Sequence, residues 1–221
     1  MKFVMMKRLA LSIGVAALLS GVLTACVPLV VGGAAAGGSL VFTDRRTSGA
    51  QLEDEGIELR ASSRIRGNVG ERVHVNLTSY NRQVLLTGEV PNAEDKQLVE
   101  QIVSRVENVN AVVNELAVMG NSSLTQRSTD VLVTGRVKAM LLDARDLHSN
   151  AFKVVTERGT TYLMGRVTQR EADRATEVVR GTPGVQKVVR IFEIISEEEL
   201  ARMLPAAPTK PPAAADKPAG S

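Results

Sequence analysis

Val84-Leu85-Leu86-Thr87-Gly88-Glu89-Val90 and Thr161-Tyr162-Leu163-Met164-Gly165-Arg166-Val167 are two copies of one strand, 77 residues apart. Each ends on an apolar-x-Gly-x-Val pattern. The match extends in both directions. At the same offset Val75 and Leu77 fall on Phe152 and Val154. Downstream, with one deletion, Val109-Asn110-Ala111-Val112-Val113 falls on Val185-Gln186-Lys187-Val188-Val189. Upstream, Asp54-x-x-Ile57-x-x-Arg60 falls on Asp130-x-x-Val133-x-x-Arg136. A similarity that covers the whole of each unit marks an internal repeat, and the repeat decides the architecture.

Each unit reads as helix, strand, strand, helix, strand. In the first, Ile57, Arg60, Ala61 and Ile65 follow helical spacing, and Val73, Val75 and Leu77 alternate as a half-buried strand. Tyr80 to Gln83 suits a hairpin turn, where Asn tolerates positive φ. After the return strand, Pro91-Asn92 opens a second helix, with Glu94 and Asp95 favouring its N-terminal dipole. Leu98, Ile102, Val103 and Val106 are its expected apolar face, and residues 109–119 the last strand. The second unit repeats this. Its first helix is expected over about 128–144, with Val133, Val137, Met140 and Leu141 inward. Strands follow at about 152–157 and 160–167, turning at Arg158-Gly159. A helix at about 169–180 and a strand at 185–195 complete it. Gly88 and Gly165 occupy one place in the repeat, where close backbone approach is expected. The fold class is therefore α+β: in each αββαβ unit, a three-stranded sheet carries two helices on one face.

Outside the repeats, the N-terminus has the three parts of an export signal. Lys2, Lys7 and Arg8 precede an apolar run from Leu9 to Val22, which is too short to span a membrane. Leu23-Thr24-Ala25-Cys26 then forms a lipobox. Residues 1–25 are read as a lipoprotein signal peptide, and Cys26 as the first mature residue and the point of lipid attachment. Cys26 is the only cysteine, so no intrachain disulfide or cysteine metal cluster forms. Acylation also removes a lone thiol that export would expose to an oxidising compartment. Val27, not Asp, follows Cys26. By the sorting pattern of enteric-type bacteria this directs the lipoprotein to the outer membrane. Residues 26–45 read as a lipidated tether, 46–120 and 124–196 as the two units, and 205–221 as a disordered Pro/Ala-rich tail.

The formal charge of +3 comes from the leader. Without residues 1–25 the chain has 24 basic and 24 acidic side chains. With an aromatic content of 3% and no Trp, a nucleic-acid surface is excluded. Catalytic chemistry leaves a polar constellation, and none is legible. His74 and His148 lie in different units and share no metal-ligand spacing. His74 reads as a surface residue, and Glu53-Asp54-Glu55 and Glu197-Glu198-Glu199 as solvated runs. No enzyme, metal, cofactor or small-molecule substrate is expected.

The charge asymmetry between units is more informative. Residues 44–119 hold 9 basic and 12 acidic side chains, a net of −3, whereas residues 122–195 hold 12 and 8, a net of +4. The second unit is the one suited to an anionic surface. Its first helix carries Arg136, Lys138 and Arg145 beside Val131, Leu132 and Val133. Two readings fit: a lipid-headgroup contact, or ordinary core flanked by solubilising charge. With the inward positions filled, Leu132 and Arg136 are left together off the core face at i, i+4. Leu132, Arg136 and Lys138 are the candidate phospholipid-binding residues.

The helix-opening Asp-x-x-Ile/Val-x-x-Arg, the Leu86 to Val90 and Leu163 to Val167 strand ends, and the Val-x-x-Val-Val openings resemble the BON domain, a module of bacterial envelope proteins. A lipobox before two such units resembles the dual BON-domain outer-membrane lipoproteins. That resemblance implies a periplasm-facing lipoprotein that maintains envelope integrity. It also implies anionic phospholipid as partner, bound by the first helix of the second BON domain through an aromatic residue, where this chain has Leu132. The alternative is a protein-interaction module assisting outer-membrane protein assembly or cell-wall remodelling.

Overall fold

The computed structural model describes residues 44–203. The expected signal peptide, Cys26, nearly all of the tether and the Pro/Ala-rich tail lie outside the described residues. The elements in chain order are α1 (Ser48–Val69), β1 (His74–Tyr80), β2 (Gln83–Val90), α2 (Ala93–Ser104), β3 (Ala111–Asn114), β4 (Ala117–Val118), α3 (Leu124–Asp143), β5 (Lys153–Glu157), β6 (Thr160–Val167), α4 (Gln169–Arg180), β7 (Lys187–Ile194) and α5 (Glu197–Met203). Each repeat makes its own mixed sheet. β2 pairs antiparallel with β1 and parallel with β3 and β4. In the second sheet β6 pairs antiparallel with β5 and parallel with β7. The α+β, αββαβ reading holds for both.

The first repeat departs in its last strand. That strand breaks at Glu115-Leu116 because Leu116 turns inward and is 2% exposed. The second departs at α3, which starts at Leu124 rather than near 128. Ser123 caps it, accepting a hydrogen bond from the Gln126 amide, so the Ser-x-x-Gln there is the true start signal. Met140 is 43% exposed, not inward; Val133, Val137 and Leu141 fill the core face alone. On α2, likewise, Leu98 is exposed and Val99 takes the buried position.

Both hairpin turns have two residues, each with positive φ: Asn81 at 50° and Arg82 at 65°, Arg158 at 53° and Gly159 at 73°. This backbone matches the right-handed twist of the flanking strands. Only one of the four is glycine, so the turns need outside support. Asp54 accepts hydrogen bonds from the Asn81 and Arg82 amides, both at 2.8 Å. Asp130 does the same for Arg158 and Gly159, at 2.8 and 3.0 Å. The repeated Asp of the helix opening is therefore a hairpin clamp. Asp54, expected in a solvated run, is 1% exposed.

Gly88 and Gly165 meet backbone. A Cβ at Gly88 (φ 110°) stands 2.1 Å from the His74 carbonyl oxygen, and one at Gly165 stands 2.4 Å from that of Ala151.

Along β2, Val84, Leu86 and Val90 pack under α1 and α2, whereas Leu85 faces away from the helices. Along β6, Leu163 and Val167 pack under α3 and α4, whereas Tyr162 and Met164 face away. The outward residues of both repeats meet in one cluster: Tyr80, Leu85, Tyr162, Met164 and Ile191, joined by Val113, Val155 and Val189. The sheets thus stack on their helix-free faces, and the layers run helix, sheet, sheet, helix. Polar contacts rim this apolar centre, among them Lys153 to Glu58 at 3.0 Å and Asn81 to Glu193 at 2.7 Å.

Candidate functional site

α3 has two apolar sides. Val133, Val137 and Leu141 bury into the second repeat's core. Away from that core, Leu124, Val131 and Leu142 are 80%, 69% and 73% exposed, and Val131 also lines a cavity shared with His74, Asn76 and Glu157. At i, i+7 and i+18 these three lie in one line along the helix, within about 20° of each other. Gly135 falls in the same line and keeps the ridge low. Leu132, 61% exposed, stands beside the ridge with Arg136 one turn on. Lys138 flanks the other side. Arg136, Lys138 and the following Arg145 are exposed and form no ion pair among the described residues. Of the acids of α3, Asp130 is buried in its turn, whereas Asp143 is exposed two turns after Arg136 on the same side of the helix. The structure thus leaves all three candidates exposed, with Leu132 and Arg136 on one side of the ridge and Lys138 on the other. Cys26 lies outside the described residues.

The equivalent helix α1 also exposes Leu52 and Leu59, at 71% and 73%. Its surface charge is mixed, with Glu53, Glu55 and Glu58 beside Arg60, Arg64 and Arg66. Among the described residues no helix is long and apolar enough to cross a membrane.

A second polar constellation lies between the repeats, and the sequence reading missed it. His74 and Glu89 are direct cross-strand partners in β1 and β2, 2.8 Å apart through His74 Nδ1 and Glu89 Oε2. Glu157, at the end of β5, completes the group, and one donor atom from each residue lies within 4.8 Å of the other two. His74 is therefore half-buried and engaged, not a free surface residue. Glu89 is wholly buried. Burial raises its carboxyl, but hydrogen bonds from His74 and Ser122 outweigh that and hold it below its ordinary value. For Glu157, burial prevails over the hydrogen bond from Asn76, the Glu89 charge adds to it, and the carboxyl is pushed up. No spacing rule finds this set. The third member comes from the other repeat and arrives only when the sheets stack.

A third cluster ties the segment before α1 into both repeats. Arg45 makes a two-pronged pair with Glu171, both bonds at 2.7 Å, and also donates to the Arg166 carbonyl. Glu171 belongs to the capping box of α4 with Thr168. Arg46 pairs with Asp54 at 2.8 Å and lies over the Tyr80 ring, 4.4 Å from its centroid. Arg45, the last residue of the expected tether, is thus buried in the folded body.

Residues 53–120 and 129–195 each match the family model of the BON domain. Over 193 residues the chain is 36% identical to "Outer membrane lipoprotein DolP" of Haemophilus influenzae, covering 86% of this chain and 97% of that protein. It is 29% identical over 154 residues to a "21 kDa hemolysin" of Actinobacillus pleuropneumoniae, covering 69% of this chain and 79% of the relative. Among solved structures, the C-terminal domain of CdsD, a structural protein of the type III secretion system of Chlamydia trachomatis, matches at 13% identity. That match covers 66% of this chain and 98% of that one with a TM-score of 0.27, too distant to carry an argument.

Proposed function

The chain belongs to the BON domain family, and from that premise we propose that it is a non-enzymatic outer-membrane lipoprotein whose second BON domain rests on anionic phospholipid. Cys26 carries the lipid anchor, the folded body faces the periplasm, and the role is to maintain the envelope. The observation that carries this reading is the outer ridge of α3. Leu124, Val131, Leu132 and Leu142 are exposed on a helix already buried on its other side, and unpaired cations flank them. An apolar strip edged by basic residues lies in the boundary between headgroup and acyl chain.

The magnitudes suit an anchored protein. Each basic side chain near an anionic surface contributes on the order of 1 kcal/mol, less as salt rises. Arg136 and Lys138 with a partly inserted ridge give weak binding alone. The Cys26 lipid makes it effective by holding the helix at high local concentration.

The test is co-sedimentation of the acyl-free chain, starting at Val27, with vesicles of zwitterionic lipid with and without anionic lipid. Wild type pellets with the anionic vesicles at low salt. Leu132→Glu and Arg136→Glu each weaken this roughly ten-fold or more, the loss expected when about 1.4 kcal/mol of contact is removed. Unchanged binding, with the fold intact by circular dichroism, removes α3 from the membrane contact and leaves its ridge to a protein partner.

A further inference from the structure

We propose that His74, Glu89 and Glu157 form a divalent transition-metal site, of the kind zinc occupies, that staples the first repeat to the second. The donor set is one imidazole and two carboxylates, which suits zinc. Its donor atoms lie within 4.8 Å of one another. Ligands around a tetrahedral zinc stand about 3.4 Å apart, so closing on an ion needs only small side-chain rotations.

An independent observation points the same way. Glu89 is 0% exposed, yet its Oε1 accepts no hydrogen bond. A buried carboxylate oxygen normally finds a donor, and one that accepts no hydrogen bond retains lone pairs for a cation. Its nearest positive charge is Arg158 Nη1 at 3.6 Å. That guanidinium also contacts Met119 Sδ and is 29% exposed, so it has room to turn outward when an ion takes its place.

The surroundings supply the rest. Ser122 Oγ and Asn76 Nδ2 donate to Glu89 and Glu157, fixing the carboxylates from outside the donor set. A cavity of about 390 Å³, lined by His74, Asn76, Glu157 and Val131 among others, opens beside the group. It gives an ion an entry path and leaves a position for water. Because His74 and Glu89 belong to one sheet and Glu157 to the other, a bound ion cross-links the two BON domains. That stabilises the stacked form by mass action.

The experiment uses the full mature chain in detergent micelles, stripped with chelator and titrated with Zn²⁺ by calorimetry. Co²⁺ serves as the absorbing probe. One Zn²⁺ per chain binds with a Kd on the order of micromolar or tighter, and the Tm rises. Co²⁺ gives the visible bands of a four- or five-coordinate site. Glu157→Gln and His74→Ala weaken binding at least ten-fold and abolish the Tm rise, while their metal-free circular dichroism matches wild type. Arg158→Gln tightens binding. No Zn²⁺ binding by wild type, or binding that survives both ligand variants, overturns the proposal.

Discussion

Asp54→Ala lowers the Tm by roughly 10 °C, through a loss of about 3–5 kcal/mol. The size follows from what one carboxylate holds. Asp54 accepts from the Ser79 hydroxyl at 2.6 Å, from the Asn81 and Arg82 amides, and from Arg46. Alanine takes the acceptor from four donors, of which the Ser79 hydroxyl is buried and the others part-buried, and an orphan cut off from water costs about 1–3 kcal/mol. It also frees a turn in which two non-glycine residues sit at positive φ. The Asp54→Asn variant separates the parts, because its amide oxygen accepts from the turn but carries no charge for Arg46. It falls between wild type and Asp54→Ala. Equal melting of Asp54→Ala and wild type contradicts the clamp.

Arg45→Ala has an effect of similar size for a different reason. The Arg45 and Glu171 side chains are 4% and 1% exposed. Removing the guanidinium leaves a buried carboxylate with the Thr168 amide as donor and the His148 imidazole 3.9 Å away. Breaking a buried pair on one side costs about 3–5 kcal/mol. The double variant Arg45→Met, Glu171→Met recovers only part of it, since an apolar pair replaces the buried ion pair at little cost but the Thr168 amide loses its capping acceptor. pH gives a second readout. Burial raises the Glu171 carboxyl, but Arg45 and the Thr168 amide hold it below the ordinary 4.5. A lowered native pKa stabilises above the unfolded value, and the contribution fades as pH falls through the native one. Wild type therefore loses more stability than the double variant as pH drops below about 4.5. Chemical denaturation at several pH values checks this; parallel slopes contradict it.

Much of the fold was legible in the sequence because a repeat doubles every signal. The strands around Gly88 and Gly165, the helix after Pro91-Asn92 and the turn at Arg158-Gly159 stand where periodicity and turn chemistry put them. Leu98 and Met140 were misplaced for one reason. On a helix buried along a narrow stripe, apolar residues at its rim have the same spacing as those at its centre. α3 is the stronger case: apolar on two sides, it has no single face for a periodicity rule to find. Leu132 was still legible because Val133 and Val137 claim the core between them.

The stacking of the sheets leaves a faint signal in the sequence. Val84-Leu85-Leu86 and Tyr162-Leu163-Met164 do not alternate with polar residues, as strands covered on both faces do not. Asp54 had one signal, its recurrence as Asp130, which does not say what it binds, and the group at His74 had none. A carboxylate in an acidic run looks solvated until the turn it caps is placed beside it. His74 and Glu89 become partners only through strand register, and Glu157 joins them only through stacking. The break at Leu116 likewise depends on what the side chain finds beneath it.

The stacked layers also supply the control for the membrane-contact reading. α1 and α3 belong to opposite outer layers, so a membrane lying flat against one layer meets that layer's helix and not the other. Leu59 and Leu132 are both exposed, at 73% and 61%. A polarity-sensitive fluorophore placed through Leu132→Cys or Leu59→Cys, in the chain starting at Val27 so that no other thiol is present, reports which side binds. With anionic vesicles the label at position 132 shifts to the blue and is quenched by lipid-borne quenchers, while the label at position 59 does neither. A label at 132 that stays in water while the protein is bound to the vesicles contradicts the account.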